Sequence, residues 1–382
     1  MRKWICFIAV LLIFSCSKDP VYKTPDPPTV DSSSDYPIPE QMDDGIETGR
    51  IEDANIDPDK LYALLENNGE YLHSLLVLRY GKLVFEEYFD GEHMKMTSPI
   101  TWEKQNIHFG RSIRHYQASV TKSIMSALIG ICIDRGLIEN IQVKISTFYP
   151  EYTSIFESDE RKQKITLEHV LNMKAGFVWN GAATSTDMIN GQESWAKYVL
   201  SQPMENEPGR EFNYNDGLSV LLGDIVTRVS GESSRLFVQE YLFNKIQIEN
   251  PFWDVSQWGE IGGGWGLWIT PRDMVKFGKL FLNDGQQDGE SVVSSWWVKK
   301  SKTRTSKDGS LYYCYHWWSR EYTQGDRYHS ALIAAGAGGQ NIIIVPSLDL
   351  VVVFTGGDYN YEGVSPMDLM QRYIIPACKS AS

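Results

Sequence analysis

Positive charge is in short supply in this 382-residue chain: 36 Lys and Arg stand against 49 Asp and Glu, for a net charge of −13. An acidic surface repels phosphate backbones, which argues against nucleic acid as a partner. Cysteine is scarce as well. Cys6, Cys16, Cys132, Cys314 and Cys378 are spaced irregularly, in the pattern of neither a disulfide framework nor a zinc site. The seven His include no His-Glu-x-x-His pair, so no metal is implied. There is no Gly-x-Ser-x-Gly elbow, which disfavours an α/β-hydrolase. No run beyond residue 14 is long and apolar enough to cross a bilayer, and no internal repeat is visible.

What is present begins with a processed-looking N-terminus. Arg2 and Lys3 precede an apolar run from Trp4 to Phe14, the pattern of a signal segment over 1–15. Ile13-Phe14-Ser15-Cys16 resembles a bacterial lipobox, in which Cys16 becomes the lipidated first residue; an ordinary secretory signal is the plainer alternative. The lipobox implies a protein anchored in the bacterial cell envelope through Cys16, its only membrane contact, since each buried methylene of an acyl chain adds ~0.8 kcal/mol. Residues 16–50 carry six prolines and a Ser32-Ser33-Ser34 run and read as an extended tether. A single folded domain is expected over 51–382, in a chain whose 42% hydrophobic content supplies a large core.

Strand-like runs lie near both ends of that domain. Leu75–Tyr88 reads as a hairpin about Tyr80-Gly81-Lys82, and Asn341–Phe354 as another about Pro346–Asp349. Between them the apolar spacing is helical. Val120, Ile124, Leu128 and Ile131 form one stripe that stops at Gly136, and Leu218, Leu221, Leu222, Ile225 and Val229 form a second that stops at Gly231. Thr270-Pro271-Arg272-Asp273 is a capped helix start. The expected class is α/β: one antiparallel sheet built from both chain ends, flanked by helices, with a helical lobe.

Ser119-Val120-Thr121-Lys122 places an amine one helical turn from a hydroxyl. A partly desolvated Lys has a lowered pKa and can accept the Ser proton. The spacing alone is weak evidence, because Ser15-Lys18 and Ser194-Lys197 share it; only the Ser119 copy opens a long apolar helix after a polar lead-in. A second motif, Phe212-Asn213-Tyr214-Asn215-Asp216, offers a phenol for proton relay beside a cationic Lys, or simply a packed aromatic. A third, Ala334 to Gln340, leads small residues into a strand where a substrate could lie, or forms a plain glycine turn.

In this order the three motifs resemble the serine β-lactamase and penicillin-binding-protein superfamily, specifically its class C β-lactamase-related hydrolases. Gly262–Leu267 and Val345-Pro346-Ser347 add to the likeness, which runs from about Leu72 to Val353. The resemblance implies an acylated nucleophile at Ser119, an acid/base pair in Lys122 and Tyr214, and an oxyanion hole from the N–H groups of Ser119 and Ala337. It implies no cofactor and no metal. Asp216, Gly336, Trp179, Asp187, Trp317 and Trp318 fall in segments that would line the cleft.

Two positions depart from the family pattern. Asp216 stands where an amide is usual, and Ala334 replaces the Lys of Lys-Thr-Gly, which would bind a substrate carboxylate. The small-residue version resembles the 6-aminohexanoate-oligomer hydrolase and esterase branch. The expected substrate is therefore a small-molecule ester or amide, or a short peptide. A non-catalytic binder of cell-wall or peptide ligands, a DD-peptidase or β-lactamase proper, and acyl transfer to an amine are the alternatives.

Overall fold

The computed structural model describes residues 36–98 and 101–379; the expected signal segment, Cys16 and the tether through residue 35 lie outside them. A nine-stranded sheet forms the spine. Its strands in chain order are β1 (Glu47–Thr48), β2 (Leu72–Arg79), β3 (Lys82–Tyr88), β4 (Ser306–Asp308), β5 (Leu311–Cys314), β6 (Trp317–Gln324), β7 (Arg327–Gly336), β8 (Gln340–Val345) and β9 (Leu350–Gly356). Across the sheet the order is β1-β3-β2-β9-β8-β7-β6-β5-β4. Every pairing is antiparallel except β1 with β3, which is parallel and makes the sheet mixed. The two chain ends meet at its centre, where Val77 of β2 faces Val352 of β9.

Both expected hairpins form. Tyr80 and Gly81 have φ of 52° and 76°, the left-handed pair that a two-residue turn between twisted strands requires. The strands are apolar on both faces because both faces are covered, and the period of two sorts them. Leu76, Leu78, Ile342, Ile344, Val351 and Val353 join one core. Leu75, Val77, Ile343, Val345, Val352 and Phe354 join the other. Burying each such side chain contributes ~1.5–3 kcal/mol before the entropy of ordering it is counted.

The second core is closed by α1 (Pro58–Asn68) and the C-terminal helical turns from Pro366 to Ala377. The first is closed by the segment between β3 and β4, which holds α2 (Val120–Asp134), α3 (Ala182–Asn190), α4 (Asp216–Ser230) and α5 (Pro271–Leu282). The boundaries follow local chemistry. Gly231 ends α4 at φ 76°, and Thr270 and Asp273 form a reciprocal capping box at the start of α5. Cys132, Cys314 and Cys378 are free and buried. No described helix is long and apolar enough to cross a membrane.

The N-terminal boundary differs from the sequence expectation, which placed residues through 50 in the tether. Residues 36–50 are packed on the body. Ile46 is buried, β1 pairs with β3, and Arg272 reaches back to this segment. Its guanidinium grips Glu86 with two hydrogen bonds, of 2.7 and 2.6 Å, and also donates to Asp44 and to the Glu40 carbonyl. Composition alone missed this, because the partners of the segment lie far away along the chain.

Candidate active site

Ser119 sits where the sheet meets the helical lobe. The residues before it are tied down: His115–Tyr116 pairs with Leu267–Ile269, and Gln117 N–H donates to the Leu267 carbonyl. Ala118 then adopts φ 44°, a left-handed conformation uncommon for a residue with a Cβ, so backbone strain is stored next to Ser119. Ser119 is the N-cap of α2, yet its hydroxyl makes no capping bond. The hydroxyl instead accepts a 3.0 Å hydrogen bond from Lys122 Nζ.

Lys122 is buried and surrounded by oxygen. Nζ lies 3.0 Å from Ser119 Oγ, 3.0 Å from the Gly264 carbonyl and 2.8 Å from Asp216 Oδ1. It also sits 4.8 Å from the centroid of the Tyr214 ring and hydrogen-bonds with the Tyr214 side chain. Burial alone would push the Lys122 ammonium down. The Asp216 carboxylate and then Tyr214 outweigh it, and the pKa lies above that of an ordinary lysine. This corrects the expectation of a lowered value: desolvation is present, but a carboxylate stands beside the amine.

Tyr214 is held by aromatic packing. Trp318 stacks on it at 5.9 Å and 22°, and Tyr313 meets it edge-on at 6.1 Å. Below the site His316 lies 3.0 Å from Ser219 Oγ and 2.8 Å from the Leu171 carbonyl. Burial pushes its pKa down to about 3, so it is neutral.

Two glycine positions let the backbones close in. A Cβ on Gly336 would run into the Gln117 carbonyl oxygen and lie 3.1 Å from Ser119 N. A Cβ on Gly264 would lie 3.0 Å from Lys122 Nζ. The Gly264 carbonyl is the site group that motif reading missed; the Gly262–Leu267 run was its only trace.

These groups open into a cleft of about 1090 Å³ whose lining includes Ser119, Tyr214, Asp216, Trp179, Gly336 and Ala337. Trp318 lines it too, while Trp179 contributes only an edge, being 4% exposed. Two expected lining residues are placed elsewhere. Asp187 is on the solvent face of α3 and outside the lining. Trp317 points to the opposite face of β6 from Trp318, stacked on Phe277 at 5.7 Å in the core. The lining also carries Glu70, Asp308, Asp358, Glu362 and Asp368, with Arg372. Among the described residues, no group of three or more His, Cys, Asp or Glu is arranged to hold a metal.

By fold and by likeness this is a serine hydrolase of the β-lactamase and penicillin-binding-protein superfamily. The chain belongs to the Beta-lactamase family, whose description matches residues 73–360. It is 24% identical to the 6-aminohexanoate-dimer hydrolase of Paenarthrobacter ureafaciens, over 67% of this chain and 69% of that one. Solved structures share the fold. One is a Bacillus anthracis protein provisionally assigned as a 6-aminohexanoate-dimer hydrolase, with TM-score 0.66 and 22% identity over 82% of this chain and 80% of that one. Another is the octameric penicillin-binding protein homologue of Pyrococcus abyssi, with TM-score 0.62 and 16% identity over 83% and 75%.

Proposed function

We propose that the protein cleaves ester or amide bonds of small molecules or short peptides through an acyl-enzyme on Ser119. The observation that carries this reading is the convergence of Ser119 Oγ, Lys122 Nζ and the Tyr214 side chain at the wall of one cleft. Ser119 Oγ attacks the acyl carbon, and Lys122 and Tyr214 together take up its proton. The N–H groups of Ser119 and Ala337 receive the oxyanion, fixed dipoles aimed where charge develops. The leaving group departs with the proton. Water then attacks the acyl-enzyme, gives its proton to the same pair, and frees Ser119.

The substrate is neutral or amine-bearing. Ala334 supplies no cation where a substrate carboxylate would bind, and the cleft is lined by five carboxylates besides Asp216 against Arg372, which favours cationic ligands. The name of the Paenarthrobacter relative fits an amide substrate with a free amine. Anchoring in the cell envelope through Cys16 is part of the same proposal; a Cys16→Ser variant recovered in the membrane fraction as fully as the wild type would remove it.

The central test is a fluorophosphonate probe together with p-nitrophenyl esters, amino-acid amides and nitrocefin, applied to wild type and Ser119→Ala. Labelling and ester turnover are expected in the wild type and absent in the variant, with little nitrocefin hydrolysis. No labelling of the folded wild type would make the protein a binder, and nitrocefin as the preferred substrate would overturn the substrate class.

A further inference from the structure

The cleft leaves Ser119 in two directions. One arm enters the helical lobe beside Trp179 and Asn213. The other crosses the end of the sheet. Gly336, beside Ser119 N, faces Gln340, and Ala335 faces Asn341; two strands further on, Leu72 of β2 faces Gly356 of β9. With strands ~4.8 Å apart, this arm passes Asn341 at about 10 Å from Ser119 and reaches the start of β2 at about 15 Å.

Asn341 is the polar residue in the floor of that arm. It shares a strand face with Ile343 of the second core, is 3% exposed and lines the cleft. Its Oδ1 nevertheless accepts no hydrogen bond. A buried amide left without a partner is destabilising, and an N–H from an occupant of the cleft would satisfy it.

At the far end three carboxylates gather around Tyr71. Desolvation and then Glu70, Glu362 and Asp358 push its phenol up, and all four side chains line the cleft. Among the described residues no cation pairs with any of the three. The other two lining carboxylates differ. Asp368 is answered by Arg320 at 2.8 Å and by Arg372, and Asp308 lies in the strand at the opposite edge of the sheet. The three around Tyr71 do not form a cage for a metal ion, and an aromatic ring among carboxylates suits an organic ammonium.

On the reading that Ser119 is acylated, we propose that this arm is a second binding subsite for the amine end of a linear amide chain, with a chain N–H on Asn341 and the ammonium among Glu70, Asp358 and Glu362. A span of about 15 Å is roughly four extended residues. The substrate class is therefore a short peptide or oligoamide with a free amine, bound lengthwise.

The test is competition against a neutral p-nitrophenyl ester by amides of alanine oligomers, one to five residues long, with the amine free or acetylated. Acetylation is expected to matter little for one or two residues and to raise Ki ~10-fold at four, the scale of a few exposed ion pairs. The double variant Glu70→Gln/Glu362→Gln should abolish that difference; Asp358 is left alone because its carboxylate accepts the Glu362 and Gly363 N–H groups and shapes the loop. Asn341→Leu should raise Ki ~10-fold for both forms of the four-residue chain. Asp308→Asn should preserve the preference for a free amine. A preference that ignores chain length, or that Asp308→Asn lowers as far as the double variant does, is a general field and overturns the subsite. So does an Asn341→Leu variant that binds both forms as the wild type does.

Failure of the hydrolase reading looks different: no ester is turned over at all. The subsite is then read by calorimetry on Ser119→Ala, where tetra-alanine amide must bind ~10-fold tighter than its acetylated form, and equal binding overturns it.

Discussion

Ser119-x-x-Lys122 and Ser194-x-x-Lys197 have the same spacing, and both begin a helix, yet they are different objects. Ser194 Oγ accepts from the Lys197 N–H and caps its helix, while Lys197 Nζ is half-exposed and pairs with Glu193 one turn away. Ser119 makes no cap, and Lys122 is buried against Asp216 and Gly264. The difference teaches that the motif is only a spacing. Chemistry comes from what the rest of the chain lays over it: a carboxylate, a carbonyl and a phenol at one copy, only a helix cap and a surface ion pair at the other.

The comparison can be broken in several ways, from the largest effect to the smallest. Ser119→Ala should lower kcat for a p-nitrophenyl ester by ~10⁴-fold or more with the fold intact. Ser194→Ala should leave kcat alone and cost about 1 kcal/mol in denaturant titration, the worth of a cap. Lys122→Ala should lower kcat/KM ~10³-fold and depress the melting temperature, because it strips the partly buried Asp216 carboxylate of its partner. Lys197→Ala should shift stability by less than about 0.5 kcal/mol, as exposed pairs do. Comparable losses from both lysines would erase the distinction.

Gly336→Ala sharpens it further. The added Cβ must push the end of β7 away from the Ser119 turn, and a displacement of that order costs about 100-fold in kcat, alongside a lowered melting temperature from the same overpacking.

His316, under the Ser119 copy only, adds an effect read against pH. A group whose folded pKa lies near 3, below its unfolded value, contributes stability that is present at neutral pH and lost as pH falls from about 6.5 toward 3. Thermal melts of His316→Gln between pH 7 and 4 should fall less steeply than those of the wild type. Parallel slopes would show that His316 charges freely in the fold.

Much of the frame was legible in sequence because it rests on local chemistry. The Tyr80-Gly81 turn, the α2 stripe and the Thr270–Asp273 box announce themselves within a few residues. The likeness to a known family then placed Ser119, Lys122 and Tyr214 in one site. What stayed hidden was long-range. Gly264 meets Lys122 across 142 residues of chain, and nothing in a single sequence marks which carbonyl will do so. Asp216 was visible as a departure from pattern, but its contact with Lys122, and with it the charge state of the lysine, depends on how α4 docks against α2. Trp317 and Trp318 show the reverse case. The strand alternation that separates them was knowable, but it could not say which face looked into the cleft.

The central seam of the sheet, where Val77 faces Val352, also sets a timetable. The hairpin of β2 and β3 is made early on the ribosome, but the strand that completes it leaves last. The whole helical lobe must be synthesised in between. Until then β2 holds an unpaired apolar edge, the template on which stray chains pair. Growth of this protein is thus a long wait with one flank open, and contacts so distant in sequence make its closure slow.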